Sequence, residues 1–204
     1  NKIVASDDAA SDNFGISVAM TGTYIFVGAP GESSGEGAVY RFDLDGTNQV
    51  KIVASDGAAD DNFGYSVAID EQNNKIIVGA YNDDDNGNNS GSVYVYNLDG
   101  TGEVKITAGS TNGAANDNFG TSVDAYNNLI VIGANGDGPG GSAYLYQNDG
   151  TFVAKIVASD ATTGDNFGVQ VAVNSTAVFV AASGGDERSL SSTGTIYKFD
   201  RDGT

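Results

Sequence analysis

The chain has no cysteine, no histidine and no tryptophan among its 204 residues, and only two prolines and one methionine. Without cysteine there is no disulfide framework. Without either thiolate or imidazole there is no zinc site of the usual donor type, no Ser-His-Asp triad and no Cys-His dyad. Basic residues are scarce as well: nine Lys and Arg stand against 27 Asp and Glu, a formal net charge of −18. Such a surface repels phosphate backbones and anionic headgroups within a Debye length, so nucleic acid is not an expected partner. No run of 18 apolar residues occurs, so no helix is expected to cross a membrane and no membrane insertion is expected.

Glycine is abundant, at 29 of 204 residues, roughly twice ordinary usage, while charged residues fall below it. This balance suits short strands joined by tight turns. One stretch organises the rest: Asp61-Asn62-Phe63-Gly64-Tyr65-Ser66-Val67-Ala68 recurs at 12–19, 117–124 and 165–172 with little change. The phenylalanines Phe14, Phe63, Phe119 and Phe167 are 49, 56 and 48 residues apart, a period that belongs to repeat architectures.

Between these marks, β-branched and aromatic runs bounded by Gly, Asn and Asp read as strands. They fall at 16–20, 24–29, 38–43 and 50–54, then at 65–69, 75–80, 92–97 and 103–108. The third set is 121–125, 129–134, 142–147 and 152–158, and the fourth 169–173, 177–182 and 195–200. No helical periodicity interrupts them. Asp45-Gly46, Asp99-Gly100, Asp149-Gly150 and Asp202-Gly203 lie between third and fourth strands and read as hairpin turns. The fourth repeat lacks its last strand, but residues 1–6 resemble one, as 51–55, 105–109 and 155–159 show. The expected fold is therefore an all-β, four-bladed β-propeller with four antiparallel strands per blade. It forms one domain over 1–204, with blades at about 15–55, 64–108, 120–158 and 168–204, and the N-terminal strand completes the last blade. Closure of this kind hides sheet edges. The alternative is exchange of that strand into a neighbouring copy, which would build a ring or filament.

Phe-Gly before a first strand, Val27-Gly28-Ala29-Pro30, Val78-Gly79-Ala80 or Ile132-Gly133-Ala134 ending the second, and a tyrosine in the third together resemble the FG-GAP repeat of integrin α-subunit propellers and bacterial secreted proteins. The resemblance covers the whole chain. It implies a secreted or cell-surface β-propeller that acts in recognition or adhesion rather than catalysis, with an extracellular glycan or protein, or copies of itself, as partner. The fourth copy departs from the pattern, with Ala181 in place of glycine and Gln170 in place of serine.

Roles follow from residue chemistry. Phe14, Phe63, Phe119 and Phe167 each have about 150–250 Å² to bury, and read as wedges between sheets. Gly15, Gly64, Gly120 and Gly168 behind them allow a close backbone approach or positive φ. Tyr40, Tyr94, Tyr144 and Tyr197 read as packing between blades. Asn82, Asp84 and Asn86 alternate ahead of Gly87, the oxygen-rich opening of a calcium loop, although no bidentate Glu follows. With Asp137 they are the candidate metal ligands, and calcium the candidate cofactor. Loops before first and third strands should open on one face, gathering Asp7, Asp8, Asp56, Asp60, Asp83, Asp84, Asp85, Asp137 and Asp186 around a rim. Tyr81, Asp83, Asp85 and Arg188 are the candidate ligand-binding residues there. Paired carboxylates also raise a glycosidase as a third reading, but no isolated Glu pair supports it.

Overall fold

A computed structural model describes residues 2–185 and 193–204. It contains fifteen strands in four antiparallel sheets. The first sheet holds β1 (Ser17–Met20), β2 (Tyr24–Ala29), β3 (Ala38–Asp43) and β4 (Val50–Ile52). The second holds β5 (Ser66–Asp70), β6 (Lys75–Ala80), β7 (Ser92–Asn97) and β8 (Val104–Ile106). The third holds β9 (Phe119–Tyr126), β10 (Leu129–Ala134), β11 (Ser142–Tyr146) and β12 (Phe152–Ile156). The fourth holds β13 (Phe167–Val173), β14 (Val178–Ala182) and β15 (Thr195–Phe199). In each sheet the strands lie in chain order. The ends fall within two residues of those read from the alternation, the ordinary scatter of strand boundaries. Each sheet is a blade, and the first strands β1, β5, β9 and β13 share a groove of about 320 Å³ lined by Ser17, Ser66, Ser122 and Gln170.

The core lies between blades. Phe26, Val39 and Ile52 of the first blade pack with Phe63, Ile76, Val78, Tyr94 and Tyr96 of the second. The same layering recurs between the second and third blades and between the third and fourth. We call the side of a blade that meets its predecessor the leading face, and the opposite side the trailing face. Phe63, Phe119 and Phe167 are fully buried on leading faces. Each meets the third-strand tyrosine of its own blade edge to face, with centroids 5.3 Å apart. Those three rings thus lie in clusters shared by two blades.

The motif residues around each phenylalanine form a fixed turn. Asp12, Asp61, Asp117 and Asp165 are buried and accept the backbone N–H three residues upstream, at 2.6–2.7 Å. The asparagine that follows each of them has positive φ, between 55° and 61°. That geometry turns the chain so that the Phe63 N–H reaches Glu36 O of the preceding blade at 3.2 Å, and the Phe167 N–H reaches Gly140 O at 2.7 Å.

One expectation is not met. Residues 2–6 form no strand, and among the described residues the fourth sheet has three strands. Instead Ala5 is buried with Val27 and Tyr40 of the first blade, and Ile3 packs in the same cluster. The Ser6 N–H bonds Gln49 Oε1 at 2.9 Å, and Asp7 meets Lys51. Ile3 lies over Gly46 as Ile52 lies over Gly100. The segment therefore behaves like the last strand of a blade in the part of its packing that faces the next blade. That apolar contact holds it without any edge pairing. The inner strands touch in the order β1, β5, β9, β13, and no comparable contact joins β13 to β1.

Phe14 shows the consequence: unlike its three counterparts it is only half-buried, because no blade covers it. Phe63→Ala is expected to cost about 3–5 kcal/mol as a core cavity. Phe14→Ala should cost less than half as much, and urea unfolding of the two variants measures the difference.

Candidate functional site

Among the described residues the acidic loops do not form an open rim of free carboxylates. Asp83, at the start of the loop between β6 and β7, is buried, and both its oxygens are engaged. Oδ1 accepts from Ser92 Oγ at 2.9 Å and from the Asp85 N–H at 3.1 Å. Oδ2 lies 3.0 Å from Tyr94 Oη and 2.9 Å from Lys105 Nζ. Lys105 also reaches Asp56 and Asp85, each at 2.7 Å, and stands over the Tyr94 ring at 5.2 Å. The arrangement recurs. Lys51 joins Asp7 and Glu32 beneath Tyr40, and Lys155 joins the buried Asp137 beneath Tyr144, whose hydroxyl donates to the same carboxylate. In the fourth blade Tyr197 donates to Asp160 Oδ1 at 2.8 Å.

The Lys105 cluster takes in Asp56 from the connection between β4 and β5 and so ties the second blade to that connection, whereas the Lys155 pair lies within the third blade. Their electrostatics follow from geometry. Burial alone would raise the Asp56 carboxyl, but hydrogen bonds from Lys105 and Tyr94 outweigh it and hold Asp56 below the ordinary carboxylate range. The Lys51 hydrogen bond does the same for Glu32 against a smaller burial effect. Burial lowers Lys105, while its three carboxylate partners raise it further and keep it charged. The Tyr94 and Tyr144 hydroxyls are pushed up chiefly by burial and stay protonated.

Of the candidate calcium ligands, Asp137 belongs to the Lys155 cluster. Asp84 Oδ1 accepts the Asn89 N–H at 2.7 Å, and Asn82 donates to Asn62 Oδ1 at 3.3 Å. The Asn86 N–H bonds Ser90 Oγ. Among the described residues no group of three or more acidic side chains is disposed to hold a metal ion. The residues do not fit calcium: where carboxylates converge, a lysine ammonium already stands between them. Asp8 and Asp60 are exposed and separate from these clusters. Arg188 and Asp186 lie outside the described residues.

Tyr81 is the expected ligand-binding residue that the structure puts in a cleft. Its ring lies 4.4 Å from that of Tyr65, tilted by 52°. With Asn13, Ile16, Pro30, Gly31 and Asn62 the two rings line a hollow of about 260 Å³ between the first two blades. Tyr65 is 38% exposed and therefore free to meet a ligand. Tyr65 lies inside the repeated stretch, where the sequence motif assigns it no role. The available signal was its departure from the repeat, since the matching positions are Ile16, Thr121 and Val169. Asp70 is a residue without a sequence signal. It is fully buried at the opposite end of the blade, where it accepts from the Asn127 and Asn128 N–H groups and from Asn148 Nδ2, tying the second blade to the third.

A family model described as FG-GAP repeat matches residues 1–42, 47–96, 101–146 and 151–199. No curated protein matches the sequence. Among solved structures, the Kuenenia stuttgartiensis hydrazine synthase is similar over 97% of this chain, with a TM-score of 0.61 and 11% identity. The chain spans about half of that structure, 49%. At this identity the likeness concerns fold alone.

Lys105→Met is expected to destabilise the protein by about 3 kcal/mol at pH 7, because it strands carboxylates around a buried one. Asp56, a Lys105 partner held low in the folded state, contributes stability above its unfolded pKa that is lost as pH falls through the folded one. The gap between Lys105→Met and the parent should therefore narrow from pH 7 to pH 3, as urea midpoints at both values will show.

Proposed function

The chain belongs to the FG-GAP repeat family, and on that premise we propose that it is a non-enzymatic recognition module, secreted or held at a cell surface, that binds an extracellular glycan. FG-GAP repeats occur generally in extracellular and surface proteins. The observation that carries the reading is the paired Tyr65 and Tyr81 rings beside Asn13 and Asn62. Aromatic faces stack on the apolar faces of sugar rings, and amide groups offer both a donor and an acceptor to hydroxyls. A shallow cleft on rigid sheets, lined mostly by apolar groups with a few polar ones, is a common ligand site.

Catalysis has less support. Glycoside hydrolysis needs two carboxyl groups facing a substrate with different protonation. The carboxylates of Glu32, Asp83 and Asp137 are each held by a lysine and a tyrosine. Calcium enters the reading only as a ligand-borne or surface ion, since among the described residues no group of three or more acidic side chains is disposed to hold one.

Tyr65→Ala and Tyr81→Ala should each weaken glycan binding roughly tenfold, about 1.4 kcal/mol, with little change in melting temperature. A glycan array followed by calorimetric titration of the best binder checks this. A silent array together with retained binding to a protein ligand would move the reading to a protein partner.

A further inference from the structure

Three interfaces between successive blades obey one rule. In the trailing face of the first blade, Gly28 pairs across the ladder with Ser17. Ser17 Oγ donates to the Gly64 carbonyl of the next blade at 2.7 Å. Gly79 with Ser66, and Gly133 with Ser122, repeat the pair, and these hydroxyls reach Gly120 O and Gly168 O at 2.7 and 2.8 Å. The glycine is required: a Cβ on Gly28, Gly79 or Gly133 would be driven into the very carbonyl oxygen that the serine binds. The matching pair in the fourth blade is Ala181 with Gln170. It has the forbidden Cβ and lacks the hydroxyl, so this trailing face rejects a following Phe-Gly step.

The leading face of the first blade is the opposite case. It has Phe14 and Gly15 as the other blades do, yet a Cβ on Gly15 would meet nothing. Val18 is 61% exposed and Met20 66%, whereas Val67, Val123 and Val171, in the place of Val18, pack against the preceding blade. A hollow of about 400 Å³ lies between residues 2–5 and Phe14. Ile3 and Ala5 already hold the position that the last strand of a preceding blade takes.

We infer that the leading face of the first blade is a docking surface for the trailing face of another FG-GAP blade, one with glycine and serine at the positions of Gly28 and Ser17. A second copy of these four blades is not that partner, because among the described residues the trailing face of the fourth blade has Ala181 and Gln170 at those positions. The two substitutions therefore block both closure of the four blades on themselves and head-to-tail growth.

The test restores the missing pair. Sedimentation velocity at about 100 µM, enough to fill an interface of micromolar Kd, is run on the parent chain, on Ala181→Gly, on Ala181→Gly/Gln170→Ser, and on the double variant with Val18→Glu. The parent should sediment as single chains. The double variant should form concentration-dependent assemblies, Ala181→Gly weaker ones, and Val18→Glu, at an exposed position, should return the mass to that of one chain. Assembly of the parent that Val18→Glu abolishes would overturn the inference. So would a folded double variant that stays single, or assembly indifferent to Val18→Glu.

Discussion

Two backbones in this protein approach closely enough that only glycine fits between them, and a serine hydroxyl bonds the carbonyl at that point of contact. The approach of Gly28 to Gly64, repeated at Gly79 and Gly120 and at Gly133 and Gly168, sets the distance between sheets. The phenylalanine beside each second glycine fills the wedge that opens away from the contact. The lysine, tyrosine and carboxylate clusters close the outer end. The large, non-directional contribution from burial thus gains a fixed geometry from one directional bond and one steric limit.

Much of this was legible in the sequence because the period was. Alternating Val, Ile and Tyr gave the strands, Asp-Gly gave the turns, and four Phe-Gly steps gave the blades. What could not be read was which of two partners a segment would choose. The last strand of each blade has an edge to pair with and a following blade to pack on, and the sequence does not rank them. In residues 2–6 the packing of Ile3 and Ala5 is what the structure retains. The acidic loops illustrate a second limit. Asp83 and Asp137 look like ligands for a dissolved cation when read in their own loops. Their partners Lys105 and Lys155 lie 22 and 18 residues further on, so the pairing is visible only in three dimensions. Tyr65 and Tyr81 had a readable signal in their departure from the repeat, but their meeting across the cleft did not.

The charge balance gains meaning from these clusters. Three of the nine basic residues, Lys51, Lys105 and Lys155, are committed to carboxylates of the loop clusters. Arg41 and Arg201 stand over Tyr24 and Tyr126 and bond backbone carbonyls of a neighbouring blade, Leu98 and Tyr126 respectively. Few cations are left to neutralise the exterior. The acidic surface therefore follows from where the positive charge is spent as well as from how little of it there is.

The family repeat begins with the last strand of one blade and ends within the third strand of the next. The heritable unit and the folded unit are thus out of phase. Duplicating one such unit by unequal recombination inserts a whole blade, and leaves each old neighbour still stitched to a new one by its borrowed strand. Arrays of this kind can lengthen or shorten in a lineage without ever passing through a form in which an interior sheet lies open.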